Sequence, residues 1–198
     1  MKVGVVALQG DVREHREVLD ALGVDAPEVR TPADLSALDA LILPGGESTT
    51  ISQLLTSSGL LDALHERIAD GLRVLGTCAG AILLATDVLD GRPDQASLGA
   101  LDVTVRRNGY GTQLQSFEAD LDVEGLDGRP FPGVFIRAPL FERVGDTVEV
   151  LAVHRDRPVL VRDGPVWAST FHPELSGDLR VHQRFLDQDD DQYPKGVR

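Results

Sequence analysis

The chain has 198 residues, 42% of them hydrophobic, with a single cysteine and a formal net charge of −13. That length and apolar content give a folded domain with a real core and exclude a disordered chain. One cysteine excludes an internal disulfide, the lack of Cys-x-x-Cys or His-x-x-x-His spacing leaves no metal framework to propose, and the acidity excludes a nucleic-acid partner, which needs clustered Lys and Arg.

The first apolar run, Val3 to Leu8, reads as a buried strand and is too short for a signal-peptide core or a membrane span. A cytoplasmic protein without membrane contact is expected. Val12 to Leu22 follows with Val18, Leu19 and Leu22 at helical spacing among charges, and Ala40 to Leu43 is the next strand. That strand runs into Pro44-Gly45-Gly46-Glu47-Ser48-Thr49-Thr50, after which Ile51, Leu54 and Leu55 open a helix with Ser48 or Thr49 as its expected N-cap. Leu60 to Ile68 is a second helical piece, and Val74 to Thr77 is a strand.

Beyond about Asp87 the pattern changes to short strand-like runs: Val103 to Arg107, Ser116 to Val123, Gly133 to Arg137, Val148 to His154, Val159 to Arg162 and Val166 to Phe171. Arg162-Asp163-Gly164-Pro165 reads as a hairpin turn. A last helix spans about Gly177 to Leu186, and the acidic tail from Asp187 onward reads as solvated and frayed. Strands alternating with helices in the first half predict an α/β fold, a three-layer arrangement with a mostly parallel central sheet, flanking helices and added antiparallel strands in the second half. One domain over residues 1–198 is the expected organisation.

Cys78 ends the strand at Val74 to Thr77 inside Gly76-Thr77-Cys78-Ala79-Gly80, where a helix-like segment begins. A sharp strand-to-helix turn presents a nucleophile above the sheet edge, and flanking glycines remove side chains that would crowd it. The helix N-terminus favours thiolate over thiol, although by only about 0.3–1 kcal/mol, so a basic partner is still required. Taken alone, a lone cysteine is as well explained as a small buried hydrophobe.

Phe171-His172-Pro173-Glu174 closes the last strand-like run, and residues two apart on an extended segment share a face. His172 and Glu174 are therefore expected to point the same way, with Pro173 restraining the pair. Glu174 can orient the imidazole while its other nitrogen takes the Cys78 proton. In a parallel sheet both motifs lie at strand C-terminal ends, where such folds place their sites. The other histidines read as structural: His15 and His65 as solvated helix residues, His154 in a turn beside Arg155-Asp156-Arg157, and His182 on the final helix. Gly45 and Gly46 allow close backbone approach and could supply an oxyanion donor, and the loop lacks the Gly-Lys-Ser/Thr ending of a phosphate-binding loop.

Taken together, Leu43-Pro44-Gly45-Gly46-Glu47-Ser48-Thr49, Gly76-Thr77-Cys78-Ala79-Gly80 and Phe171-His172-Pro173-Glu174 resemble the class I triad glutamine amidotransferases. More narrowly, Leu8-Gln9-Gly10 with Val12-Arg13-Glu14-His15, Arg107-Asn108, Ser116 to Leu121 and Gly133 to Pro139 resemble the family of glutaminase subunits of pyridoxal 5'-phosphate synthase. The resemblance covers nearly the whole chain up to about Leu186. It implies that Cys78 attacks the side-chain amide of L-glutamine, that His172 passes the proton to departing ammonia, and that Glu174 orients His172. It implies backbone N–H groups of Gly46 and Ala79 as the oxyanion hole and Gly46, Glu47, Ser48, Arg107, Ile136 and Arg137 as holders of glutamine. It implies no cofactor and a heteromeric complex with a synthase subunit that receives the ammonia and makes pyridoxal 5'-phosphate from pentose phosphate and triose phosphate, with Gln9 near the contact. The sequence departs from the usual pattern at Asp11, Arg106, Tyr110 and Thr112, which bears on that interface. Rival readings are a glutaminase serving another synthase, a γ-glutamyl hydrolase, and a non-catalytic glutamine-binding scaffold.

Overall fold

A computed structural model describes residues 1–92, 94–107, 109 and 116–187. The first half folds as β1 (Val3–Val6), α1 (Val12–Ala21), β2 (Glu28–Val29), β3 (Ala40–Leu43), α2 (Ser48–Ser58), α3 (Leu60–Ala69), β4 (Arg73–Thr77) and α4 (Ala79–Leu84). The second half adds β5 (Ala85–Val88), β6 (Leu101–Arg106), β7 (Ser116–Leu121), β8 (Phe131–Ile136), β9 (Leu140–Val144), β10 (Glu149–His154), β11 (Arg157–Asp163), β12 (Val166–Ser169) and α5 (Arg180–Leu186). The main sheet runs β10-β11-β12-β4-β3-β1-β2, with β5-β6-β9 and the β7-β8 hairpin beside it.

Five neighbouring strands of the main sheet, from β12 to β2, are parallel, and β11 and β10 pair antiparallel at one side. Every residue of β1, β3, β4 and β12 is buried, Arg73, Thr77 and Ser169 included, as in strands covered on both faces. Alternation along them divides the core. Val3, Val5, Ala40, Ile42, Leu75 and Trp167 face Leu19 of α1 and Val181 and Phe185 of α5. Val6, Leu41, Leu43, Val74 and Ala168 face Ile51, Leu55, Leu60, Leu64, Ala81 and Leu84 of the other helices. Trp167 and Phe185 meet edge to face with ring centroids 6.1 Å apart. The expected mostly parallel, helix-flanked sheet is therefore present, and its C-terminal edge collects the turns after β1, β3, β4 and β12.

Several boundaries differ from expectation for local reasons. α2 is capped by Glu47 rather than Ser48 or Thr49, its carboxylate accepting from Thr49 N at 3.3 Å and Thr50 N at 2.7 Å. α5 begins at Arg180 because Asp178 accepts from Arg180 N at 3.1 Å, so the preceding residues form its entry and not its first turn. β8 stops at Ile136 since Arg137 takes a φ of +43°, which no strand residue can hold. The hairpin around Gly164 and Pro165 forms as expected, with Asp163 paired to Val166. The expected acidic tail falls on residues 188–198, outside the described residues.

Candidate active site

Cys78 follows β4 directly and caps α4 with φ +48° and ψ −99°, a conformation costing a non-glycine residue about 1–3 kcal/mol. The turn is tight because α4 lies directly on the sheet. A Cβ on Gly80 would stand 2.1 Å from the Leu43 carbonyl oxygen, so only glycine lets the helix approach β3 this closely. Cys78 N–H donates to Ser169 O at 2.9 Å, which ties the turn to the end of β12. From there only Thr170 and Phe171 separate the nucleophile's anchor from His172.

His172 is 4% exposed and its N–H donates to Val134 O of β8 at 2.8 Å. Its Nδ1 lies 2.7 Å from Glu174 Oε1 and 3.3 Å from Asp11 Oδ2. The Gly45 backbone packs against the ring, since a Cβ there would stand 2.5 Å from its Cε1. With Nδ1 bonded to carboxylates, Nε2 is the nitrogen left for Cys78. Burial opposes a charged ring, but hydrogen bonds to Asp11, Cys78 and Glu174 outweigh it and raise the His172 pKa to about 12. Burial pushes the Glu174 carboxyl up while His172 pulls it back. The 2.7 Å contact requires a proton on Nδ1, and the raised His172 pKa favours the charged ring over the neutral one.

Glu174 meets His172 by a route other than the one expected. β12 ends at Ser169, and Pro173–Leu175 form a 3-10 turn that folds the carboxylate back onto the ring. The expected shared face of an extended segment is thus corrected to a turn, and Pro173 serves as its first residue, where a missing N–H costs nothing.

The structure also corrects one histidine. His15 is fully buried instead of solvated, while His182 lies on α5 as expected and is fully buried there. His15 Nε2 lies 3.0 Å from Thr77 Oγ1 and 3.5 Å from Glu174 Oε2, and its Nδ1 lies 3.0 Å from His182 Nε2. Burial first, then the neighbouring His182 and His172, hold the His15 pKa well below its usual value. Asp11 and His15 are four residues apart, one helical turn, so the start of α1 delivers both to the triad. That spacing, next to Gln9-Gly10, was the available signal. His154, read as a turn residue, ends β10 and stacks on Phe117 with centroids 5.5 Å apart. His65 is exposed, as expected.

Gly46 and Glu47 are exposed, Ser48 is buried, and its hydroxyl has no hydrogen-bond partner among the described residues. Glu47 N–H donates to Gln9 Oε1 at 2.8 Å, while Glu47 Oε1 accepts from Arg107 Nη2 at 3.0 Å. Despite partial burial, Thr50, Thr49 and Arg107 lower the Glu47 pKa. The Ile136 carbonyl lies 4.0 Å from Cys78 Sγ, and Arg137 follows it, exposed. Ala79 is the first residue of α4, so its N–H is one of the helix's unpaired N-terminal donors. Arg106 pairs with Glu142 at 2.6 Å. Tyr110, Thr112 and Asn108 lie outside the described residues. Asp11, His172 and Glu174 bring one donor atom each within 4.8 Å, close enough for a cation, but their mutual hydrogen bonds already hold the imidazole.

The arrangement brings a thiol, an imidazole and a carboxylate to one sheet edge, with peptide N–H groups and an arginine beside them. The SNO glutamine amidotransferase family matches residues 5–190. The pyridoxal 5'-phosphate synthase subunit PdxT of Parafrankia sp. (strain EAN1pec) is 58% identical over 186 residues, 94% of this chain and 92% of that one. The subunit of the same name from Thermus thermophilus is 58% identical over 93% of this chain and 96% of its own. A crystal structure of a glutamine amidotransferase, 55% identical, covers 94% of this chain and 98% of its own with a TM-score of 0.90. The structure of PurLQS from Thermotoga maritima, 21% identical, shares the fold with a TM-score of 0.65 over 94% of this chain and 99% of its own.

Proposed function

The chain belongs to the SNO glutamine amidotransferase family, and from that premise we propose that it is the glutaminase subunit of a pyridoxal 5'-phosphate synthase, acting in the cytoplasm. The observation that carries the reading is the contact of 2.7 Å between Glu174 Oε1 and His172 Nδ1, on a ring whose charged form is also favoured by Cys78 on its strained turn.

The chemistry follows from those groups. The Cys78 thiolate adds to the side-chain amide carbon of L-glutamine, and the negative oxygen is stabilised by N–H groups of Gly46 and Ala79, each worth about 2.7–4 kcal/mol where such donors have been removed. The His172 imidazolium gives its proton to the leaving nitrogen, the C–N bond breaks, and ammonia departs from a thioester. Water then adds to the thioester with His172 taking its proton, the C–S bond breaks, and glutamate leaves. Each step uses this chain's own groups and water. Glu174 and Asp11 keep the ring oriented and favour its charged form.

Arg107 supports the substrate's carboxylate, and the Glu47 carboxylate or the Ile136 carbonyl its ammonium, with Ser48 and Arg137 completing the rim. Ammonia set free in water would be protonated and lost to synthesis, so a synthase subunit that shelters it is the partner that gives this reaction a use. The test is ammonia release from glutamine by wild type and Cys78→Ala, each with and without the synthase. Turnover that depends on Cys78 is expected. Full turnover by Cys78→Ala removes the reading, and turnover of γ-glutamyl peptides in preference to glutamine replaces it with a γ-glutamyl hydrolase.

A further inference from the structure

We infer that His15 is a positioning residue that fixes the second oxygen of Glu174 and, through Thr77, links the triad acid to the nucleophile turn and the Gly45-Gly46 loop. The inference rests on the glutaminase reading and adds to it how the site is held in register.

Glu174 Oε1 is used by His172, whereas Oε2 is buried without a hydrogen bond among the described residues. The polar group that faces it is His15 Nε2 at 3.5 Å, longer than a good hydrogen bond but close for a buried charge. His15 is neutral in this position, so it carries one N–H, and the surroundings decide where. With the proton on Nδ1, a lone pair at Nε2 would face a carboxylate oxygen. His182 would then have to accept at Nε2 and carry its own proton on Nδ1, a buried atom without a partner among the described residues. With the proton on Nε2, the N–H points between Thr77 Oγ1 and Glu174 Oε2, and His182 Nε2–H donates to His15 Nδ1. A lone pair at His182 Nδ1 and the Thr77 O–H then lack a partner among the described residues, but the buried Glu174 Oε2 faces an N–H in place of a lone pair, and that electrostatic difference favours the proton on Nε2.

Thr77 Oγ1 also accepts from Gly45 N at 3.1 Å. One hydroxyl thus holds the residue before Cys78 and the residue before Gly46, while the imidazole that donates to it faces the triad acid. The titratable groups around His15 are His182 on α5, Glu174 and His172 after β12, and Asp11 at the start of its own helix. Rotation of the Glu174 carboxylate is restrained from both sides, and His172 inherits its orientation.

The test uses the complex with the synthase and three variants. His15→Leu removes the donor, His15→Gln keeps an N–H near the Nε2 position, and Thr77→Val removes the hydroxyl at nearly constant shape. Two quantities are read: glutaminase kcat and KM, and the pH profile of Cys78 alkylation by iodoacetamide. His15→Leu is expected to lower kcat by about tenfold, the size of the lost hydrogen bond to Thr77 together with the polar group facing a buried carboxylate oxygen. KM is expected to stay within about twofold, the alkylation profile to move along the pH axis, and His15→Gln to recover most of both. Equal losses in Leu and Gln variants, or wild-type kcat and alkylation in Thr77→Val, overturn the inference. Should His15→Leu fail to fold, Thr77→Val decides the matter alone. The alkylation comparison needs no glutamine turnover, so a wild type that releases no ammonia would remove the glutaminase reading without touching it.

Discussion

Glu174 Oε1 reaches His172 Nδ1 at 2.7 Å across a 3-10 turn, and Asp11 Oδ2 reaches the same nitrogen at 3.3 Å from the start of α1. The imidazole is thus held by two carboxylates from distant parts of the chain. The shorter contact is to the fully buried one, which is the stronger orienter because fewer waters compete for it. Replacing it with a neutral amide leaves the ring free to choose the wrong tautomer. Loss of the acid from a triad of this logic costs about 10⁴ in kcat where nothing substitutes for it. Here Asp11 substitutes in part, so Glu174→Gln is expected to lower kcat by about 10²–10³, and the double variant with Asp11→Asn by about 10⁴. Steady-state kinetics of the complex measure both, and Asp11→Asn costing more than Glu174→Gln would reverse the assignment.

Gly80 is held against the sheet by backbone, not by a side chain that could swing aside. A methyl there meets the Leu43 carbonyl oxygen at 2.1 Å and its carbon at 2.9 Å, so α4 must move off β3. Gly80→Ala is expected to destabilise the fold by about 1–3 kcal/mol, the range for overpacking a tight interior. Because α4 starts at the residue after Cys78, activity should fall further than stability. Urea denaturation and glutaminase rate, measured on one preparation, separate the two effects. A variant as stable and as active as wild type would show that the helix can retreat without disturbing the turn.

Glu47 and Arg107 form a pair at the rim in which the two partners have different duties. Glu47 Oε2 accepts from Thr50 N at 2.7 Å and closes the first turn of α2, while its Oε1 takes Arg107. Glu47→Ala is therefore expected to lose about 1 kcal/mol of stability, as N-caps do. Arg107→Ala removes only a half-exposed ion pair, worth about 0–1 kcal/mol, and should leave the melting temperature nearly unchanged. With Arg107 supporting the glutamine carboxylate, its loss should raise KM by about tenfold with a smaller change in kcat. Thermal melts and substrate titrations check these in turn.

The sheet was legible because β1 and β3 are apolar throughout and β4 has the apolar pair Val74-Leu75 before its glycine turn, a pattern of strands buried on both faces. β2, only two residues long, and β9, which carries Glu142 and Arg143 at its exposed side, have no such pattern. Cys78 and His172 were legible as motifs, since each sits where a strand ends. Glu174 was paired with His172 for the wrong geometric reason, because a Pro in an apparent strand end had started a turn. His15 was hidden by its neighbours: Arg13, Arg16 and Glu17 are exposed, and spacing alone gave no partner for a histidine among them. What buries it comes from Thr77, 62 positions away, and His182, 167 positions away. Glu47 was expected at the substrate, and the structure shows it as the cap of α2, a role usually taken by the smaller Ser or Thr beside it.

The two buried histidines make the protein sensitive to mild acid. Burial holds His182 at about 4, against 6.5 for an unperturbed ring, and holds His15 low in the same direction. Below 6.5 the unfolded chain binds a proton at each site that the folded protein refuses, so stability falls as pH drops from about 6.5 to about 4 and then levels for His182. The interval for His182 corresponds to about 3 kcal/mol. His172 does not offset this, because a ring raised to about 12 gives its full contribution below 6.5 and loses it only as pH climbs toward 12. The lowered carboxylates Glu28, Asp34, Asp102 and Asp178 respond below their ordinary values, whereas Glu174, pushed up by burial, opposes the histidines above its own ordinary value, so the histidine share is read from the difference between variant and wild type. Urea denaturation of wild type from about pH 6.5 to about 5 should show stability falling with decreasing pH, and His182→Gln should show a shallower slope by up to about 1.4 kcal/mol per pH unit. Parallel slopes would mean that His182 is already protonated in the folded protein, and the neutral His182–His15 contact would have to be abandoned.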